Sequence, residues 1–221
     1  MSSQTKTTRV RRSPGAARAE ILRAAEAALG DMDYSALTVD IVMGYTGMTR
    51  SSFYHYFNGL DDIAVGLLDQ FEQDIRDSVD RWLRGEVEPD DNLGATEQHL
   101  RQMFEVIHSH RQAHAAVAQA ASGNARVYRA WQQSVVDYFV ELTTAFIQRQ
   151  AALGRSQVDD PARVARALIL MNNAVSNDNL SRAEPDTPQA LARVIAGIWN
   201  AVIYDGAAAL AAPARDATTP Q

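Results

Sequence analysis

Between Thr38 and Phe57 the chain gathers Arg50, Ser51, Ser52, Tyr54, His55 and Tyr56 at nearly consecutive positions. These types suit nucleic acid. An Arg fork pairs with guanine or phosphate, and hydroxyls bond to bases or phosphates. Tyr54 and Tyr56 each add a polar tip to an apolar body. A second group is His108, His110 and His114, with His110 and His114 four apart, a spacing that can hold zinc on a helix. No Asp, Glu or Cys completes that set nearby, so no metal is expected. Asp61-Asp62 and Asp159-Asp160 stand at helix starts, where the dipole favours negative charge better than acid–base catalysis explains them. No phosphate loop, G-x-S-x-G elbow or H-E-x-x-H is present. Neither an enzyme nor a cofactor is expected. One more polar residue stands out: Asn172, between Met171 and the apolar Ala174-Val175. A buried amide costs about 1–3 kcal/mol unless it is bonded, so Asn172 pairs with backbone or with a ligand.

The elements that must position these groups are helical. Thr38 can cap a first short helix whose Val39, Val42 and Met43 share a face. Gly47 suits a sharp turn, because a left-handed backbone is cheapest for glycine. Thr49 can cap a second helix with Phe53 and Phe57 inward. This is a helix-turn-helix layout, whose second helix enters the major groove. An αα-hairpin of ordinary core aromatics has the same pattern. Around it, residues 18–30 predict a first helix, with Ile21, Leu22, Ala25, Ala28 and Leu29 inward. Residues 60–83 predict one long helix, and 84–94 an acidic loop. Further helices are expected over 95–109, 111–121, 125–153, 161–178 and 188–210. Pro161 and Pro188 mark two of those starts. The fold class is therefore all-α, with about nine helices.

Net charge is −6, yet residues 1–60 balance at +2 and the remainder at −8. Lys6, Arg9, Arg11, Arg12 and Arg18 crowd the first 18 residues without an acid. A basic head on an acidic body is compatible with DNA binding. No Cys occurs, so disulfides and thiolate chemistry are excluded. No apolar run reaches the ~18 residues of a membrane span, and no secretory signal is visible. A cytoplasmic location is the expectation. The domains read as a disordered basic arm (1–17), a helix-turn-helix head (18–60), a ligand-binding and dimerisation body (61–212) and a disordered tail (213–221).

The stretch TGMTRSSFYHYFNGLDD resembles the signature of TetR-family transcriptional repressors. Gly47, Thr49, Phe53, Tyr54, Tyr56 and Phe57 occupy the signature positions. Met43 and Thr46 stand where that family usually has Ala, and Leu60 where it has Lys. The resemblance implies DNA contacts from Thr38, Thr49, Arg50, Ser51, Ser52, Tyr54, His55 and Tyr56. It implies a homodimer through the last two helices, on palindromic operator DNA. Four body segments, SHRQAHAAVAQAA, the Trp131–Phe139 stretch, ALILMNN and GIWNAVIYDG, are similar to the ethionamide-resistance-regulator group of that family. This implies an apolar channel for a small hydrophobic effector, an amide, ester or ketone. By matched positions Met103, Ile107, Trp131, Val135, Tyr138, Asn172 and Trp199 would line it, with Phe104 beside them. Asn172 would bond a ligand carbonyl. A second family Asn is Ile169 here, and two family phenylalanines are Met103 and Ile107, so the channel should differ in shape. The competing expectation is a TetR-fold DNA-binding or architectural factor whose body is filled by its own side chains.

Overall fold

Capping residues set most helix starts. In the computed structural model, which describes residues 14–78 and 81–205, Thr38, Thr49, Asn124, Asp160 and Thr187 each accept a bond from a first-turn amide. Each thereby satisfies a donor with no intrahelical partner. The described residues form nine helices. They are α1 (Pro14–Leu29), α2 (Val39–Gly44), α3 (Arg50–Tyr56), α4 (Leu60–Asp77), α5 (Asn92–Ser109), α6 (Arg111–Gly123), α7, α8 (Pro161–Ser181) and α9. α7 runs from Ala125–Trp131 through a π-helical turn, Gln132–Asp137, into Tyr138–Ala152. α9 is Pro188–Asn200, extended by a π turn, Ala201–Asp205. No strand occurs among the described residues.

Several boundaries differ from the sequence reading, two of them with a local cause. α1 begins at Pro14, inside the stretch assigned to the arm, because proline's fixed φ suits a first helical turn. Ala17 is buried there. The rest of the arm and the tail lie outside the described residues. α4 stops at Asp77: Ser78 Oγ donates to the Ile75 carbonyl at 2.6 Å, a side-chain bond that competes with the helical ladder. Trp82 and Leu83 remain buried beyond that stop, and Arg149 donates to both of their carbonyls, docking the turn. Val79 is not among the described residues. Finally, α7 is continuous as expected but not uniform.

The head is α1 to α3, with Ile21, Leu22, Val42, Phe53 and Phe57 in its core. α4 joins it to the body and packs on both α1 and α6. A Cβ on Gly66 would lie 2.8 Å from Leu22 Cδ2, so glycine permits the close α1–α4 approach. In the body α5 packs along α9, and the later part of α7 along α8. Leu170 on α8 and Val194 and Ile198 on α9 are exposed.

Candidate DNA-binding head and ligand chamber

The helix-turn-helix is built by local bonds. Thr38 Oγ1 accepts from Ile41 N at 3.2 Å. Thr46 Oγ1 donates to the Met43 carbonyl at 2.9 Å and accepts from Met48 N at 3.0 Å, tying the turn. Gly47 sits there at φ +65°, a region that side chains rarely adopt. Thr49 caps α3, and its hydroxyl lies 2.8 and 3.0 Å from those of Ser51 and Ser52. Phe53 and Phe57 stack inward with ring centres 5.6 Å apart. Thr49, Arg50, Ser51, Tyr54 and His55 are left exposed on one helix; Thr38 is exposed beside them, and Ser52 and Tyr56 are partly buried. The sequence missed a partner. Arg50 Nη1 donates to Asp40 Oδ2 at 2.6 Å, and its guanidinium rests 5.8 Å from the Tyr54 ring centre. Asp40 thus holds the Arg50 side chain across the turn. Opposite charges ten residues apart were the available signal.

The start of α4 is a junction. Asp61 accepts from Tyr34 OH at 3.3 Å and from Asn124 Nδ2 at 2.5 Å. Asp62 accepts from the Asn58 backbone at 2.8 Å, from its side chain at 2.7 Å and from Arg126. Burial alone would raise the Asp62 carboxyl. Bonds from Asn58 and Arg126 overcome it and hold the group below the usual carboxylate range. The two acids therefore do more than complement a dipole. They tie α4 to the start of α7. Asn124 serves twice, capping α7 and bonding Asp61.

Inside the body lies a narrow chamber between α4, α5, α6, α7 and α8. Met103, Ile107, Trp131, Val135 and Asn172, all expected there, line it. Phe71, Ile75, His114, Phe139, Ile169, Asn173 and Ser176 complete the wall. Only about 20 Å³ of it is open to the centre of a water molecule. Three expected residues lie outside the lining. Phe104 borders a smaller recess with His108 and Ser176. The Tyr138 ring is covered by the Arg76 guanidinium at 4.1 Å. Trp199 stands behind the wall, where its Nε1 donates to Asn172 Oδ1 at 3.2 Å. An indole N–H only donates, so the Asn172 amide must present its oxygen to Trp199. Its Nδ2 is buried without a partner.

The histidines separate. His110 Nε2 pairs with Asp74 at 2.8 Å and its Nδ1 lies 3.7 Å from Glu26 of the head, whereas His114 faces the chamber. Among the described residues no group of three or more potential ligands could hold a metal ion. None of the described helices is long and apolar enough to cross a membrane.

An exposed cap-and-arginine helix on a three-helix head, carried by a helical body with an internal chamber, is the architecture of a helix-turn-helix regulator of transcription. Residues 96–205 match the family model described as the C-terminal domain of the transcriptional regulator EthR. The chain is 26% identical over 187 residues to the HTH-type transcriptional regulator EthR of Mycobacterium tuberculosis strain H37Rv, covering 83% of this chain and 85% of that one. It is 25% identical over 208 residues to EthR of Mycolicibacterium smegmatis, covering 91% and 94%. A putative TetR-family regulator from Syntrophomonas wolfei superposes with a TM-score of 0.66 at 15% identity, over 86% of this chain and 96% of that one. FadR from Bacillus halodurans superposes at 0.65, also at 15%, over 85% and 95%; both show the common fold. The chain belongs to the TetR family of transcriptional regulators, and it is EthR-like.

Proposed function

We propose that this protein is a dimeric repressor whose operator affinity falls when an elongated apolar ligand fills the chamber. One observation carries the ligand reading. Asn172 is pinned through its oxygen by Trp199, and its buried NH₂ has no partner. An unpaired buried donor costs about 1–3 kcal/mol, which a ligand carbonyl would recover.

The route to the head follows from α4. Phe71 and Ile75 stand in the chamber wall, and Asp61 and Asp62 tie the same helix to α7 and to the head. Nine residues separate Asp62 from Phe71, about 14 Å of rigid helix. A ligand that widens the chamber pushes on α4 and tilts the head. The exposed Leu170, Val194 and Ile198 supply an apolar face for a partner's α8 and α9. Two copies would then set their α3 helices about 34–36 Å apart on palindromic DNA. Thr38, Thr49, Arg50, Ser51, Ser52, Tyr54, His55 and Tyr56 would make its contacts.

The chamber's small free volume favours a second reading, in which the same head rides on a body that takes no ligand. A thermal-shift screen of hydrophobic amides, esters and ketones, with operator binding measured alongside, separates them. A ligand at one hundred times its dissociation constant stabilises the fold by about 2.7 kcal/mol. The expected result is a hit that weakens operator binding and is lost in Asn172→Leu. Absence of any hit would leave the filled body as the reading.

A further inference from the structure

The ligand-chamber reading leaves one wall residue unused. His114 on α6 is 6% exposed, and its Nδ1 makes no hydrogen bond. Its ring stands edge-on to Phe71, with centres 5.4 Å apart. His114, Phe71 and Trp131 also border a second cavity of about 240 Å³, which continues past Val117 and Tyr128. His114 therefore stands at the neck between the narrow chamber and this wider space. Across the chamber, Asn172 Nδ2 and Ser176 Oγ are buried and unpartnered too, one helical turn apart on α8.

No Lys, Arg, Asp or Glu lines either cavity. A carboxylate or an ammonium would enter with no opposite charge to meet it, at high desolvation cost. The ligand is then uncharged. Its polar group must satisfy two kinds of atom. Asn172 Nδ2 can only donate, so it requires an acceptor. A neutral imidazole keeps one ring nitrogen as an acceptor; in the tautomer that protonates Nε2 this is the unbonded Nδ1, which then requires a donor. Desolvation pushes the His114 imidazole down to about 4, which keeps it neutral at physiological pH. An ester or a ketone offers only acceptors. A secondary carboxamide offers both, on adjacent atoms.

We infer that His114 is a second ligand anchor, accepting an N–H from an uncharged secondary carboxamide whose carbonyl is held by Asn172 and whose apolar arms occupy the two cavities. This rests on the chamber being a ligand site. His114 acts as a specificity residue: it selects amides over isosteric esters, because the ester leaves its buried nitrogen unpaired.

The test uses the full chain and three matched probes: a long-chain N-alkyl amide, the isosteric ester and the N-methylated amide, which keeps the carbonyl but lacks the N–H. Dissociation constants are measured by calorimetry for wild type, His114→Phe, His114→Gln and Asn172→Leu. Wild type should prefer the secondary amide over both analogues by about tenfold or more. His114→Phe should bind all three with that preference erased. His114→Gln, which retains an uncharged acceptor, should restore part of it, and serves if the Phe variant folds poorly. Asn172→Leu should weaken all three. Equal affinities in wild type, or a preference that survives in His114→Phe, would overturn the inference while leaving the chamber intact. Failure of wild type to bind any probe would remove the chamber reading, and the inference with it.

Discussion

Acid should destabilise this protein through one buried ring. The His114 imidazole is pushed from its ordinary 6.5 to about 4 in the folded chain, because burial disfavours the charged form. Unfolding returns it to water, where it takes up a proton below pH ~6.5. The folded value is the depressed one, so this contribution is complete above the unfolded value and is lost as pH falls from about 6.5 through about 4. At about 1.4 kcal/mol per pKa unit the loss amounts to about 3 kcal/mol. For a chain of this size that is about 6–12 °C in Tm. The perturbation is His114→Phe, which keeps a ring of similar size among apolar neighbours. Thermal unfolding followed by circular dichroism at several pH values from 7 to 4 gives two curves. Carboxylates such as Asp62 act equally on both, so the difference isolates His114. Wild type should lose about 6–12 °C more than the variant across that range. Parallel curves would refute the reasoning, since they would mean that the ring is solvated or bonded when charged.

Other outcomes follow from the geometry. Asp62→Asn and Arg126→Ala should each lower Tm, and in a double-mutant cycle they should couple by about 1–2 kcal/mol, because one charged hydrogen bond links them. Asp62→Asn should also flatten the acid limb below the usual carboxylate range; the Asp62 carboxyl is held low, so its stabilisation is present above the unfolded value and lost as pH falls through the folded one. Gly47→Ala should cost about 1–2 kcal/mol by denaturant unfolding, from the φ of +65° alone, since no atom lies within 4 Å of the added carbon. Arg50→Ala should weaken operator binding by roughly tenfold in a fluorescence titration while leaving Tm unchanged, and Asp40→Asn should alter which base is preferred at the Arg50 position.

Local rules carried much of this fold because they act over three or four residues. Thr38, Thr49, Pro161 and Pro188 each announced a helix, and Phe53 and Phe57 announced the inner face of α3. Pro14 follows the same rule, yet it lies within the polar stretch 1–17 assigned to the arm. Ser78 ended α4 through its own hydroxyl, which an apolar period cannot reveal. The longer-range features were hidden. Nothing in the spacing of Asn172 and Trp199 says that one orients the other across 27 residues. His114 looked like one member of a histidine cluster. The packing of α6 against α4 seats its ring on Phe71, in the chamber wall.

The π-helical turn in the middle of α7 has a mechanical consequence. Its hydrogen bonds reach back five residues instead of four, so the segment holds one residue more than an ordinary helix needs. Returning that residue to regular pitch turns the chain on either side by about 100° relative to the other. The slack sits between Asn124 and Arg126, which grip the acids of α4, and the later part of α7, which is seated on α8. Trp131 and Val135 at this slack rung also face the chamber. A molecule wedged against them would be paid out as rotation of the α7 start rather than absorbed as bending. The helix is thus one rod by connectivity, with its irregular turn placed between the end that grips α4 and the end seated on α8.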